Sequence, residues 1–226
     1  EGDQLVLDAE VLGDLLSEEL GITVRAEVTD SYNALVVAMQ SGQAAIGMFG
    51  PIALVQAADQ AGAEPILQSV RFGSSTYVTQ WFTNDPDRFC ETEVVLDEDG
   101  FAFCNGVLDA ESGPVGESAL ALIEQDEAIS FVDEGSASGY YYPATQLEEA
   151  GLDPFALSGS FFAGGHPNSV LSVARGDATV GVSFNDARGN VVEELPTVGE
   201  DVVVFAWSTA IPNDGVAVAG DLPQDL

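Results

Sequence analysis

Two short stretches of this 226-residue chain concentrate its chemistry: Asp133-Glu134-Gly135-Ser136-Ala137-Ser138-Gly139-Tyr140, and Gly164-Gly165-His166. Ahead of the first, Ala128 to Val132 reads as a buried strand, and after it Tyr140 to Ala150 has a helical pattern. Small hydroxyl residues turn the chain between them. A strand–turn–helix of this composition aims several backbone N–H groups and two hydroxyls at one spot, at the positive end of a helix dipole. Such a spot suits an oxyanion, and Ser136 and Ser138 are equally suited to capping the helix.

The same residues raise the question of catalysis, because Ser136 or Ser138, His166 and an aspartate are the parts of a hydrolytic triad. The strained Gly-x-Ser-x-Gly elbow is not formed at either serine, since Gly135-Ser136-Ala137-Ser138-Gly139 places two serines between its glycines. No phosphate loop with a lysine is present, and the single histidine makes a zinc site improbable. The expectation is a binding scaffold, not an enzyme, with no metal and no cofactor.

The charge balance narrows the partners. Five basic residues against 38 acidic ones give a net charge of −33, and all five are arginine: Arg25, Arg71, Arg88, Arg175 and Arg188. A field of this sign repels nucleic acid and anionic membrane surfaces. The acids are scattered without calcium-loop spacing, so they read as a solubilising surface, suited to a high-salt habitat. Charges beyond ~8 Å are largely screened at physiological ionic strength, so a locally positive, partly buried site can still hold an anion.

Cys90 and Cys104 are the only cysteines and form no CxxC pattern. Their closeness suits a local disulfide that pins a loop, which points outside the cytoplasm; two free thiols are the alternative. No signal-like or transmembrane-length apolar run is visible, and the chain opens on Glu1-Gly2-Asp3 as a processed or trimmed protein would.

These residues need elements to position them. Gln4 to Gly21 repeats leucines at helical spacing (Leu5, Leu12, Leu15, Leu16, Leu20), and Ile22 to Val28 alternates as a strand. Thr29-Asp30-Ser31 caps a helix from Tyr32 to Ser41, stopped by Gly42. Ala44 to Phe49 is a strand, Gly50-Pro51 opens a helix to about Ala61, and Pro65 to Arg71 is the next strand. Tyr77 to Thr83 is β-prone, and Asp85 to Gly116 breaks the rhythm as a long loop over a small hairpin. Beyond it, Ser118 to Gln125 is a short helix, Ser160 to Ala163 a strand, Pro167 to Arg175 a helix and Thr179 to Phe184 a strand. A helix from about Ala187 and strands over Val202 to Trp207 and Val216 to Ala219 complete the pattern. Strand–helix alternation of this kind argues for an α/β sheet with parallel strands.

The ordered set Asp30-Ser31-Tyr32, Ala38-Met39-Gln40-Ser41-Gly42, Met48-Phe49-Gly50-Pro51, Tyr77, Ser136-Ala137-Ser138-Gly139-Tyr140 with Pro143, Gly165-His166 and Ile211-Pro212-Asn213-Asp214 resembles the phosphonate/phosphite/phosphate-binding proteins of ABC importers. The similarity runs from about Leu12 to Pro223. It implies a two-lobed periplasmic binding protein of type II, each lobe a mixed sheet flanked by helices, with the ligand in the cleft between lobes. Lobe 1 would hold residues 1–76 with 206–226 returning to it, and lobe 2 residues 77–205. The crossings would fall near Gly73–Tyr77 and Phe205–Ser208. The resemblance further implies an extracytoplasmic, monomeric solute receptor, with a small phosphorus oxyanion as ligand and an ABC permease as partner. A sensor ectodomain of the same fold, a cleft turned to a thiamine-precursor-like or sulfonate ligand, and a serine hydrolase using Ser136 and His166 are the alternatives.

The resemblance also implies the contacts. Ser136, Ala137, Ser138 and Gly139 would bind the anion through hydroxyls and backbone N–H groups, Tyr32 and Tyr77 through phenolic hydroxyls, and His166 through its ring, adding positive charge if protonated. Asp186 and Asp214 would accept from a protonated oxyanion or pair with the ammonium of an aminophosphonate. No arginine stands obviously in the site. Three departures from the family are expected: no first strand before the Leu5–Leu20 helix, no helices after Leu222-Pro223, and Ala137 in the turn where a middle hydroxyl is usual.

Overall fold

The computed structural model describes residues 2–223. Contacts group the chain into two compact units. One runs up to Phe49, resumes over Ala53–Leu67 and returns from Val216 onward; the other holds Gly50–Ile52 and Gln68–Gly215. Residues 68–76 and 206–215, which the sequence reading put with the first lobe, pack with the second unit, because a two-stranded ribbon ties them to each other there.

The first unit has three helices, α1 (Gly2–Leu20), α2 (Tyr32–Gln40) and α3 (Pro51–Ala61), and a three-stranded sheet. Its strands are β1 (Ile46–Phe49), β2 (Glu64–Gln68) and, at the centre, β12 (Gly215–Val218). Ser31 caps α2 by accepting from the Ala34 N–H at 3.2 Å, as the Thr-Asp-Ser run predicts. Val36, Met39, Phe49, Ala53, Ala57, Ala63 and Ala217 form the core, where the alanines of α3 let the helix approach the sheet closely. Ile22 to Val28 alternates in sequence but joins no sheet. Its backbone is held to α1 instead: Val24 N–H donates to Ser17 Oγ at 2.8 Å, and Ser17 Oγ donates to Gly13 O at 2.7 Å.

The second unit is built on a seven-stranded sheet. In chain order its strands are β4 (Thr79–Thr83), β5 (Val95–Leu96), β6 (Ala102–Phe103), β7 (Ile129–Phe131), β8 (Phe161–Phe162), β9 (Val180–Phe184) and β10 (Val203–Trp207). Across the sheet they lie β5-β6-β10-β4-β9-β7-β8. Here the expectation of parallel strands needs correction. β8, β7 and β9 are parallel, as are β6 and β10, but β4 runs antiparallel to both β9 and β10. β4 enters from the ribbon of β3 (Thr76–Tyr77) and β11 (Ile211–Pro212), which sets its direction. β4 splits its side chains between two cores: Trp81 packs with Phe89, Phe131 and Phe205 on one face, and Phe82 with Phe103, Val173 and Val204 on the other. Burial on both faces explains why β10 reads as an unbroken apolar run.

The remaining helices are α4 (Pro86–Phe89), α5 (Tyr142–Glu149), α6 (His166–Ala174) and α7 (Val198–Asp201). The expected helices at Ser118 and after Ala187 are 3₁₀ turns, Glu117–Leu122 and Ala187–Val191. The irregular stretch 85–116 does contain a hairpin, β5 with β6, but β6 also pairs with β10 and so belongs to the sheet. Cys90 and Cys104 form a disulfide that fastens this excursion to its base. No helix among the described residues is long and apolar enough to cross a membrane.

Candidate functional site

The three neighbouring parallel strands β8, β7 and β9 end at one edge of the sheet, and each runs into a helical segment: residues 137–149, α6 and the 187–191 turn. The carboxyl edge of parallel strands is where open α/β sheets present ligand-binding loops. Backbone bonds lace two of these loops together, Ala163 N–H to Phe131 O at 2.8 Å and Gly164 N–H to Val132 O at 2.9 Å. The Ser136–Gly139 turn, His166 and Asp186 therefore stand at the same edge, although 50 residues separate Ser136 from Asp186.

Ser136 takes up the N-cap position and its Oγ accepts from Gly139 N–H at 3.0 Å. The first turn, Ala137–Tyr141, is wound as a π-helix before α5 begins. Such one-turn widenings are frequent at functional sites. Ala137 and Ser138 begin the helix, so their N–H groups have no acceptor within it. Thr79 Oγ1 donates to Ser138 O at 3.1 Å and anchors the turn to β4, while no hydrogen bond within the protein engages Ser138 Oγ among the described residues. Gly139 serves packing: a Cβ there would lie 2.3 Å from Val132 Cβ. Its amide is already given to Ser136, so the donors left at this turn are the Ala137 and Ser138 amides and the Ser138 hydroxyl.

His166 opens α6. Its Nδ1 lies 2.7 Å from Ser183 Oγ on β9, and its ring meets Phe184 edge-on at 4.7 Å. Burial lowers its pKa from 6.5 to about 4. His166 is thus neutral at pH 7, and the positive charge contemplated from the sequence is not there. A neutral imidazole whose Nδ1 accepts from Ser183 presents Nε2–H as a donor. Pro167 follows, so the first turn of α6 offers the amides of His166 and Asn168 but none between them.

The two aspartates that the family resemblance puts in an anion site are each matched by an arginine, a pairing invisible in sequence. Asp186 accepts from Arg188 through backbone N–H (2.9 Å), Nε (3.0 Å) and Nη2 (2.6 Å), and from Gln80 Nε2 at 3.4 Å. Arg188 is fully buried, donates through Nη1 to Ala102 O and Val202 O, and lies between the rings of Phe101 and Phe103. Asp214 is ion-paired with Arg71 at the other end of the β3–β11 ribbon, and its carbonyl accepts from Ser69 N–H at 2.8 Å.

Tyr77 is half-buried on β3, opposite Ile211. Val78 N–H donates to Asn185 Oδ1 at 3.1 Å, which holds the end of the ribbon beside the end of β9. Tyr32 belongs to the first unit, where it starts α2 and packs against the core of that unit. Thr79, Ser183, Arg71 and Arg188 join this region without any sign in the sequence that they would. Ser183 and Thr79 lie inside strands that look purely structural, and only register brings Ser183 opposite Gln80.

The profile of a protein family described as "ABC transporter, phosphonate, periplasmic substrate-binding protein" matches residues 1–226. A curated relative, the phosphate-import protein PhnD of Mycolicibacterium smegmatis, is 28% identical over 134 residues, 51% of this chain and 42% of that protein. The match thus spans less than half the relative's length. Among solved structures, a binding-protein component of an ABC phosphonate transporter from Pseudomonas aeruginosa superposes with a TM-score of 0.75 at 18% identity, covering 100% of this chain and 67% of that one. PhnD1 from Prochlorococcus marinus in complex with methylphosphonate gives 0.71 at 20% identity, covering 97% and 73%. At these identities the structures speak for the fold, a periplasmic-binding-protein architecture of mixed α/β lobes.

Proposed function

The chain belongs to the family of periplasmic substrate-binding proteins of phosphonate ABC transporters, and from that premise we propose that it captures a phosphorus oxyanion and delivers it to a membrane permease. The single observation that carries the ligand class is the carboxyl edge of β8-β7-β9. There the Ser136-capped helix start, with its Ala137 and Ser138 amides and Ser138 hydroxyl, shares one sheet edge with the neutral His166. Neutral donors and a helix dipole stabilise an anion without a net counter-charge. Hydrogen bonds to a charged acceptor contribute roughly 1.5–3 kcal/mol each, so four or five support micromolar binding after ordering costs.

The engagement of Asp186 and Asp214 with arginines favours a ligand without an ammonium group: methylphosphonate, phosphite or phosphate over an aminophosphonate. Tyr77 flanks this site on the ribbon, and Tyr32 is assigned its anion contact by the family resemblance alone. The disulfide fits an oxidising, extracytoplasmic setting.

The ligand leaves chemically unchanged in this reading. Ser136 Oγ is committed to capping, the hydroxyl beside His166 is that of Ser183, and Ser183 is fully buried, out of reach of a substrate. Calorimetric titration with phosphate, phosphite, methylphosphonate and 2-aminoethylphosphonate tests the proposal. Saturable binding of one of the first three is expected. Silence across all four, or turnover of a chromogenic ester lost in His166→Ala, would overturn it.

A further inference from the structure

Of the five arginines, Arg188 is the one with no exposed surface. A guanidinium is withdrawn from water only at considerable cost, and here it is met by a carboxylate, two carbonyls and two aromatic faces. Its partner, Asp186, is the second residue of the loop leaving β9, three positions beyond Ser183, which holds His166. Gln80 stands directly across from Ser183 on β4 and donates to Asp186 Oδ2. The buried cation is thus bonded to an aspartate whose second partner, Gln80, lies in register with the serine that holds His166.

Asp186 keeps about a quarter of its side chain exposed, whereas Arg188 exposes none (24% and 0%). The carboxylate thus keeps contact with solvent, while the cation it pairs with has none. Left alone, a carboxylate there would repel a dianion and attract an ammonium. We infer that Arg188 is a specificity-determining positioning residue, which neutralises Asp186 from behind and so sets the site for anions lacking an ammonium group. The inference rests on the reading given under Proposed function. Arg188 touches no ligand in this scheme; it acts through Asp186.

The test compares methylphosphonate with 2-aminoethylphosphonate by calorimetry in the wild type, Arg188→Met, Arg188→Lys and Asp186→Asn. Wild type is expected to prefer methylphosphonate. Arg188→Met exposes an unpaired carboxylate at the site and should shift the affinity ratio towards the aminophosphonate by about tenfold, the order expected for one unit charge at this range in a partly screened medium. Arg188→Lys restores a cation and should hold the ratio near wild type. Asp186→Asn removes the acid while keeping Arg188, and should shift the ratio several-fold the other way, towards methylphosphonate. This variant decides the matter if Arg188→Met does not fold. A merely structural Arg188 would weaken both ligands alike, and ratios within about twofold of wild type in Asp186→Asn and in a folded Arg188→Met would overturn the inference. Wild type that binds neither ligand nor phosphate nor phosphite would instead overturn the functional reading, and this inference with it.

Discussion

His166 Nδ1 and Ser183 Oγ lie 2.7 Å apart, joining the start of α6 to β9 at the edge where three parallel strands end. Burial holds the ring neutral, and that burial makes stability depend on pH. The folded pKa of about 4 lies below the ordinary 6.5, so between those values the unfolded chain binds the extra proton. The contribution of His166 is complete above about pH 6.5 and is lost as the pH falls towards 4. Denaturation midpoints of wild type and His166→Gln should keep a constant difference above pH 6.5, and wild type should lose ground to the variant below it. Both proteins carry the same carboxylates, whose contribution cancels in the difference. A difference that stays flat down to pH 4 would show that the ring is solvated.

The same ring is expected to matter for the ligand. His166→Ala removes a neutral donor and should weaken binding of the cognate oxyanion by roughly tenfold, equivalent to one hydrogen bond to a charged acceptor, while leaving the far-UV circular dichroism unchanged. Unaltered affinity would place the anion elsewhere.

The turn before α5 is predicted to fail in two distinguishable ways. Ser136→Ala loses the cap on Gly139 N–H and should cost about 1 kcal/mol, a fall of a few degrees in Tm. Gly139→Ala drives a methyl into Val132 and should cost more, about 1–3 kcal/mol, with loss of anion binding because the first helical turn must shift. If Gly139→Ala melts like wild type, the close approach of the turn to Val132 is wrong.

Reduction offers a further test. The bond between Cys90 and Cys104 closes a loop with a sequence separation of 14, for which chain entropy alone predicts about 3 kcal/mol. Melting in the presence of a phosphine reductant, or of the double Cys→Ser variant, should show a clear fall in the Tm of the second unit. No fall would mean that Asn105, whose Nδ2 bonds Phe89 O and Phe205 O, already holds the excursion in place.

Salt should act in the opposite sense. A net charge of −33 with five cations leaves strong self-repulsion. Raising sodium chloride from about 0.05 M to about 1 M shortens the screening length several-fold and should raise the Tm. A Tm that falls with salt would assign the dominant electrostatics to the exposed ion pairs instead, such as Arg175 with Glu194.

The sequence by itself determined the local devices. A hydroxyl at Ser136 reaches an amide three residues ahead, and Ser31 does the same for α2, because capping needs only neighbours along the chain. The Ser136–Gly139 turn, the helix behind His166 and the order of strands were legible for that reason, as was the resemblance that their sequence order carries. Where a polar group finds its partner was decided only by the tertiary structure. Asp214 meets Arg71 across 143 positions, Ser183 meets His166 across two elements, and Asp186 is neutralised by an arginine whose neighbour in sequence gives no sign that it is buried. Alternation made Ile22–Val28 look like a strand, yet periodicity describes only which faces are apolar, and a strand also needs a neighbour with free backbone groups. The direction of β4 was hidden likewise, since residue pattern reports burial while the path of the chain into the sheet sets whether neighbours run parallel.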